Sequence, residues 1–181
     1  SLNFSNQKND SQYDSVVIAS GAGLLNVMPS LKISKGQLVG LKNSRDIASS
    51  LPINSEGYIL PSIDGVTWIG STHQKDFQDL LPSSEATNDL ISRTERNFKV
   101  NLGSVDGALT EARLRLGSKD RLPIAGKISS DQNIYAIGAL GSRGFSLAPL
   151  MGELIASQIS QSPNPISTGI ALSIDPMRFI D

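Results

Sequence analysis

The chain has 181 residues, 39% of them apolar, which fits one globular domain or one domain with part of another. Sixteen Lys and Arg residues against 17 Asp and Glu residues leave a net charge of −1, which does not indicate a dominant phosphate-binding surface. The lack of Cys excludes disulfides and thiolate chemistry, and the single His excludes His-rich metal sites and His-paired triads within this chain.

The first forty residues predict one buried strand and the start of a β-rich block. Residues 2–5 have the pattern of a strand remnant, and Asn9-Asp10 has that of a turn. Residues 16–19 form a continuous, mostly β-branched apolar run, which predicts a strand buried on both faces. Residues 24–28 predict a short helical turn, and the β-rich block begins at residues 31–41.

The middle of the chain predicts a β-hairpin followed by a helix. Residues 57–61 and 66–70 are short apolar runs on either side of Asp64-Gly65, a dipeptide typical of two-residue hairpin turns. Residues 82–85 read Pro-Ser-Ser-Glu, the composition of a helix start. A weak apolar stripe beyond them predicts a helix over about 84–99.

The last third predicts two strands and one long helix. The strands are predicted at residues 107–116 and 134–137, with a short apolar segment at 122–126 between them. A helix over about 146–160 has apolar residues at three- and four-residue spacing, which predicts one buried face. These residues are Leu147, Leu150, Met151, Leu154, Ile155 and Ile159. Beyond Ser162 the chain is rich in Pro and Ser and shows no helical period.

Hydropathy also bounds the location of the protein. No apolar run approaches the roughly 18 residues that a membrane span needs. Residues 1–14 are polar and lack the apolar core of a signal peptide. We therefore expect no membrane partner and a cytoplasmic location.

Two of the predicted strands end in turns rich in glycine and other small residues. Ser20-Gly21-Ala22 follows residues 16–19, and Gly141-Ser142-Arg143-Gly144 separates residues 134–137 from the last helix. A helix that begins in such a turn directs free backbone N–H groups and its positive dipole end at an electron-rich ligand. The alternative is a helix entry that packs on a strand and binds nothing. Together the two turns predict the second half of a cofactor-binding domain.

Four segments carry a family resemblance, and they cover roughly residues 14–179. In chain order they are residues 14–22, residues 57–61 with 70–72, residues 115–126, and residues 141–144 with the helix that follows. This ordered set resembles the carboxyl-terminal half of the D-amino-acid-oxidase-like FAD-dependent oxidoreductases. A narrower resemblance, to the oxidase domains of bifunctional tRNA-modifying enzymes, rests on three motifs. They are Arg-x4-Asp-x-Leu-Pro from Arg115, Gly-Ser-Arg-Gly-x3-Ala-Pro-Leu from Gly141, and the tail at 171–179.

The resemblance implies an α/β fold with α+β character. It combines a partial FAD-binding layer with an antiparallel β-sheet substrate domain that a helix covers. Residues 1–30 would end the partial FAD-binding domain, and residues 31–118 would form the substrate domain with the helix at about 84–99. Residues 119–181 would return to the FAD-binding domain with the final helix at about 146–160 and the C-terminal tail.

FAD is the cofactor that the resemblance implies, held by the two turns. In this family hydride passes from a C–H beside an amine nitrogen to the flavin, and helix N–H groups stabilise negative charge at the flavin N1–C2=O edge. The first turn would lie beside the diphosphate or adenine of FAD. The Arg143 side chain could instead contact the substrate, an RNA phosphate or only solvent. The implied cofactor-binding residues are Ser20, Gly21, Ala22, Gly141, Ser142, Arg143, Gly144 and Phe145.

The resemblance also implies a substrate side. It places Arg115 opposite a substrate carboxylate, a task that suits the forked guanidinium, and Tyr58 and Gln37 beside the flavin. In the tRNA branch the substrate is a carboxymethylaminomethyl group on uridine, whose oxidised C–N bond hydrolyses to release glyoxylate. The alternative for Arg115 is an ion pair with Asp120 or Glu111. The alternative for Tyr58 is a ring packed on its own sheet.

His73, Asp76 and Asp79 are the remaining polar candidates. Amine oxidation in this family needs no histidine base, so no catalytic residue is predicted and His73 is expected in a solvated loop. Asp76 and Asp79 lack the glycine and the further carboxylates of a calcium loop, so no metal site is expected.

The chain departs from the family pattern because it lacks the Gly-x-Gly-x-x-Gly dinucleotide turn. We therefore expect a piece of a larger protein that does not hold FAD by itself and that self-associates through the edge of strand 16–19. Three functions stay open. They are a tRNA wobble-uridine oxidoreductase, a small-molecule amino acid or glycine oxidase, and a non-catalytic isolated domain.

Overall fold

The computed structural model describes residues 13–42, 47, 50–102 and 105–179. The strand remnant predicted at residues 2–5 and the turn at Asn9-Asp10 lie outside these residues. The chain divides into two compact units. Unit 1 consists of residues 1–33 and 115–181, and unit 2 consists of residues 34–114.

Eight strands and three α-helices are present in the described residues. The strands are β1 (Val16–Ile18), β2 (Lys32–Lys42), β3 (Ile53–Asn54), β4 (Tyr58–Ile59), β5 (Val66–Gly70), β6 (Leu109–Gly117), β7 (Ile124–Lys127) and β8 (Ile134–Gly138). The helices are α1 (Ser84–Phe98), α2 (Gly144–Ser160) and α3 (Thr168–Ile174). Short 3₁₀ helices occupy Gly21–Asn26, Gly141–Arg143 and Pro176–Phe179. None of the helices in this described part of the chain is long and apolar enough to cross a membrane.

Unit 1 is built on a three-stranded sheet in the order β1-β8-β7. β1 runs parallel to β8, with Val16 opposite Ile134, and β7 runs antiparallel to β8. Neighbouring residues of β7 enter different cores. Ile124 packs with Leu24 of the first 3₁₀ helix, whereas Ala125 packs with Leu154 of α2. Helical segments therefore cover both faces of this sheet.

Unit 2 contains most of a five-stranded sheet in the order β3-β4-β5-β2-β6, since β2 begins and β6 ends in unit 1. The pairs β3–β4, β4–β5 and β5–β2 are antiparallel. One face of the sheet packs against α1, and its core residues are Val39, Leu41, Ile47, Ile59, Ile69 and Leu90. The helix covers the sheet because its apolar stripe includes Leu90, which is buried with these strand residues.

Local sequence signals place α1 and the hairpin where they were predicted. The Ser83 hydroxyl caps α1 by accepting a hydrogen bond of 3.2 Å from the Ala86 amide, and the helix ends at Lys99 in the left-handed region. Asp64 and Gly65 have φ of 51° and 75°, which are the two left-handed positions of a type I′ hairpin turn.

Three expectations differ from the structure. β1 is not buried on both faces, since Val16 and Val17 are 40% and 43% exposed in an edge strand. Ile159 of α2 is also exposed, so the buried face of that helix ends before the last residue of its apolar stripe. The helix α3 was not predicted, because its seven residues follow a Pro- and Ser-rich segment without a helical period.

Candidate functional site

The two glycine turns lie at one edge of the unit 1 sheet. β1 ends at Ile18 just before Ser20–Ala22, and β8 ends at Gly138 just before the turn at 141–144. Because β1 and β8 are parallel neighbours, with Ile18 opposite Ala136, their carboxyl ends meet at the same edge. The structure therefore brings together the two groups of residues predicted to bind FAD, in the position where open α/β sheets bind ligands.

Backbone conformation explains the glycine at the centre of each turn. Gly21 and Gly141 have φ of +58° and +60°, in the left-handed region that side chains rarely adopt. A Cβ atom added at either residue, or at Gly144, would meet no heavy atom within 4 Å. The glycines are therefore required by the shape of the turns, and the space beside them is open rather than filled by packing.

The helices that begin in these turns lack side-chain caps. No side chain caps the 3₁₀ helix Gly21–Asn26 at Ser20 or α2 at Arg143, and the first turn of α2 contains no acidic residue. The Ser146 hydroxyl donates to the Arg143 carbonyl at 3.0 Å instead of accepting from an amide. Phe145 is fully exposed. The Arg143 amide donates to the Leu140 carbonyl at 3.2 Å, so the helical turns begin within the glycine turn itself. No side-chain cap competes there for the positive dipole end that the turn presents.

A close packing contact joins the two turns. A Cβ atom added at Gly138 would overlap Leu24 Cδ1 and would lie 3.3 Å from Leu116 Cδ2. Leu24 belongs to the 3₁₀ helix of the first turn, and Gly138 ends the strand that leads to the second. The absence of a side chain at Gly138 therefore sets the spacing of the two turns. Gly138 could not be identified from the sequence, because Leu24 lies more than a hundred positions away along the chain.

Tyr58 lies on the face of the unit 2 sheet that is turned away from α1. It pairs with Gly70, and a Cβ atom at Gly70 would lie 2.5 Å from the Tyr58 hydroxyl oxygen and 2.6 Å from Leu38 Cδ2. The Trp68 ring lies over Gly40 in the same way, 3.2 Å from the Cβ position. Each glycine gives a neighbouring ring room to lie flat on the sheet, an arrangement that shields the glycine backbone.

Gln37 is fully buried on the opposite face of that sheet. Its amide nitrogen donates to the Ser83 carbonyl at 3.1 Å and to the Thr87 hydroxyl at 2.7 Å, and its amide oxygen accepts from the Ser83 backbone at 2.9 Å. The structure therefore does not bring Gln37 and Tyr58 together. Every polar group of the Gln37 side chain is engaged in holding the start of α1 against β2.

Arg115 is half-buried on β6, on the same strand face as Arg113. The two carboxylates considered as its alternative partners are bonded to other arginines. Glu111 lies 3.1 Å from Arg113, and Asp120 accepts a hydrogen bond of 2.8 Å from Arg178. The hydrogen bond from Arg178 is the main cause that holds the pKa of Asp120 well below its usual range.

The remaining polar candidates lie in unit 2. Asp79 accepts a hydrogen bond from the Leu81 amide and lies 3.6 Å from the ammonium group of Lys35, a buried lysine that also donates to the Leu81 carbonyl. His73 is exposed, and its Nδ1 atom lies 3.5 Å from the Ser34 hydroxyl. Across the described ranges, no group of three or more His, Asp or Glu residues is placed to hold a metal ion.

A parallel strand pair that ends in two glycine turns without side-chain caps, in a chain that also forms an antiparallel sheet, is the architecture expected of a flavin-dependent oxidoreductase. Residues 4–158 match the family of FAD dependent oxidoreductases, and the chain therefore belongs to that family. This finding confirms the resemblance and the α/β fold class predicted from the sequence.

The relatives share most of this chain but are much longer. It is 32% identical over 177 residues to the tRNA 5-methylaminomethyl-2-thiouridine biosynthesis bifunctional protein of Caulobacter sp. (strain K31), covering 93% of this chain and 28% of that protein. Glycine oxidase from Bacillus cereus ATCC 14579 is 25% identical with a TM-score of 0.64, covering 84% of this chain and 44% of that one. Glycine oxidase from Geobacillus kaustophilus is 20% identical with a TM-score of 0.72, with 87% and 44% covered. The chain thus spans less than half of each.

Proposed function

We propose that this chain supplies two flavin-contacting turns and the substrate-carboxylate arm of an FAD-dependent amine oxidoreductase. The observation that carries the proposal is the position of both turns at the carboxyl edge of one parallel strand pair. Membership of the FAD-dependent family supports it, because such an edge presents backbone donors to a nucleotide cofactor. Residues 1–30 and 119–181 would form part of the FAD-binding domain, and residues 31–118 would form the substrate domain.

The residues of unit 1 fit the chemistry of FAD. Residues 20–22 would lie beside its diphosphate or adenine, since small side chains allow close approach of the backbone. Residues 141–145 would direct the N–H groups of α2 at the electron-rich edge of the isoalloxazine ring. When bound, FAD supplies the two-electron acceptor for oxidation of a C–N bond. The protein backbone supplies a positive potential at the start of α2, where no acidic side chain opposes it and Arg143 lies at the N-cap.

For the substrate we propose the carboxymethylaminomethyl group of a tRNA wobble uridine. The similarity to the Caulobacter protein supports this choice. Arg115 would bind the substrate carboxylate, because its guanidinium can donate two parallel hydrogen bonds to one carboxylate. Tyr58 would line the substrate side, whereas Gln37 would act indirectly by holding the start of α1. A tRNA substrate would place the protein in the cytoplasm.

A small amino acid such as glycine is the second candidate substrate. The likeness to the Bacillus cereus glycine oxidase favours it, and so does the net charge of −1, which is unhelpful for RNA. Peroxide release with glycine or N-methylglycine would support the small-molecule oxidase. Accumulation of the carboxymethylaminomethyl nucleoside in tRNA from a deletion strain would support the RNA enzyme. A protein that does neither would be the third candidate, a non-catalytic domain without the dinucleotide turn.

The proposal is tested by flavin binding. The complete gene product that carries these residues is expressed with ample riboflavin, purified, and examined for visible flavin absorbance. We expect a yellow protein, and we expect Gly141→Val to lose most of its flavin, because a β-branched residue does not tolerate the φ of +60°. Gly152→Ala is the matched control, since Gly152 also has open space around its Cβ position but lies inside α2. A colourless wild-type protein would refute the proposal.

We also propose that the 181-residue chain self-associates through β1. The Val16 amide donates to the Asn133 carbonyl of the segment before β8, so the backbone groups of Val17 point to the other edge of the strand, where no strand of the described residues pairs with it. Side chains on both faces of this edge are apolar and at least 40% exposed. An open edge of this kind is a template for pairing with another strand, and a second copy of the chain offers the same edge.

A further inference from the structure

Arg178 holds together two segments that are 58 residues apart in sequence, the C-terminal tail and the turn at 118–123. Its Nε donates to Asp120 Oδ2 at 2.8 Å, and its Nη2 donates to Asp120 Oδ1 at 3.3 Å, so the guanidinium grips the carboxylate with two bonds. Nη2 also donates to the carbonyls of Leu122 and Pro123 at 3.3 and 3.0 Å. The Arg178 side chain is only 18% exposed. One side chain therefore ties the C-terminal tail to the turn at 118–123.

The turn at 118–123 is also bonded internally. The Leu122 amide donates to Asp120 Oδ1 at 3.0 Å, and the Ser118 hydroxyl donates to the Leu122 carbonyl at 2.6 Å. This turn begins directly after β6 ends at Gly117, two residues beyond Arg115. Because Arg178 and Ser118 bond the same carbonyl, movement of the tail and movement of the end of β6 are coupled.

The tail itself is seated on the unit 1 sheet. Buried Pro176 lies 2.9 Å from the Cβ position of Gly126 on β7, and Phe179 packs against the core that contains Leu24. The Arg178 guanidinium lies 4.4 Å from the centre of the Phe179 ring, and its Nη1 donates to the Asp175 carbonyl at 2.8 Å. Contacts within the C-terminal tail thus hold the Arg178 guanidinium in place, in addition to its bonds to Asp120.

We propose that Arg178 is a positioning residue for Arg115. This inference rests on the proposed function, in which Arg115 binds the substrate carboxylate. By gripping Asp120 and two turn carbonyls, Arg178 fixes the end of β6 and so presents the Arg115 guanidinium in one orientation. A displacement of about 1 Å of such a group is enough to cost up to a hundredfold in reactivity. Arg178 does not touch the substrate in this arrangement.

The test compares two conservative substitutions in the FAD-loaded complete gene product. Arg178→Lys keeps the positive charge and loses the forked guanidinium. Arg121→Lys is the control, because Arg121 is next to Asp120 in sequence, whereas the hydrogen bonds to the Asp120 carboxylate come from Leu122 and Arg178. The probes are glycolate and its neutral amide, and their dissociation constants are read from perturbation of the flavin spectrum. We expect Arg178→Lys to weaken glycolate binding about tenfold and leave the amide unchanged, with no effect of Arg121→Lys.

Hydrogen exchange gives a readout that does not depend on flavin. In the 181-residue chain, Arg178→Lys should raise the exchange rate of the Leu122 amide at least tenfold, since its acceptor Asp120 loses its support. Equal weakening of glycolate and amide binding, or no change in either, overturns the positioning role. If Arg178→Lys does not fold, Asp120→Asn replaces it, with the same outcomes required. If wild-type protein binds no glycolate, or Arg115→Ala binds it equally well, the proposed function fails instead.

Discussion

The contact between Gly138 and Leu24 predicts a specific stability defect in Gly138→Ala. The added methyl group would overlap Leu24 Cδ1, and it would also lie 3.3 Å from Leu116 Cδ2 and 3.7 Å from Ile124 Cδ1. Carbon atoms pack favourably at about 3.5–4.0 Å, so Leu24 must move. Leu24 is 0% exposed, so it has to move within the packed core rather than into solvent. Overpacking of this kind costs about 1–3 kcal/mol, and we expect a loss near the middle of that range.

A double-mutant cycle assigns the cost to this contact. Leu24→Ala alone should destabilise the chain by about 2–5 kcal/mol, because it leaves a cavity in the core. In that background the Gly138 methyl group has room, so Gly138→Ala should cost less than about 0.5 kcal/mol, a coupling of at least about 1 kcal/mol. Gly117→Ala is the control, since no atom lies within 4 Å of its Cβ position.

Urea unfolding followed by far-ultraviolet circular dichroism measures each free energy. If Gly138→Ala costs the same with and without the Leu24 side chain, the contact does not set the spacing of the two turns, and the packing argument is refuted. Flavin retention by the complete gene product extends the test, because a change in turn spacing should also weaken cofactor binding.

Three further predictions concern other contacts. Gln37→Leu should destabilise the chain by about 1–2 kcal/mol in urea unfolding, because it leaves the half-buried Ser83 amide without its acceptor; an unchanged midpoint would show that the amide bonds are dispensable. The pKa of Asp120 is lowered on folding, so the ionised carboxylate stabilises the fold fully above the ordinary carboxyl pKa of about 3.9, and this stabilisation is lost as the pH falls below that value. Asp120→Asn should therefore reduce the fall of the urea midpoint at acid pH, and curves of midpoint against pH that run parallel for the two proteins would contradict this. Val17→Lys should convert a self-associating chain to a monomer in light scattering, and a wild-type chain that is monomeric from micromolar to millimolar concentration would count against pairing at the β1 edge.

Features encoded by neighbouring residues could be predicted from the sequence, and features that join distant residues could not. Asp64-Gly65 predicts its hairpin and Ser83 predicts the start of α1, because turn and cap chemistry act within a few residues. Gln37 looks like a substrate contact in sequence, yet its bonds reach Ser83 and Thr87, 46 and 50 residues away. Local patterns do not contain such partners.

The same limit applies to the candidate site and to β1. The two glycine turns could be found because each follows an apolar run directly, but their common edge required the parallel pairing of β1 with β8. Arg178 could not be assigned, since its partner Asp120 lies 58 residues earlier. The apolar run at 16–19 predicts a strand correctly, but the exposure of Val17 depends on how many strands flank it.

The glycines beneath Tyr58 and Trp68 have a consequence for how this sheet can change during evolution. A side chain at Gly70 would collide with the Tyr58 ring, and one at Gly40 would press on the Trp68 ring. Each aromatic residue and its glycine must therefore be replaced together. A single substitution of the glycine creates a clash, and a single substitution of the aromatic residue leaves a cavity. The shape of this sheet face therefore depends partly on glycines, which have no side chain. A search for positions that vary with specificity would overlook them.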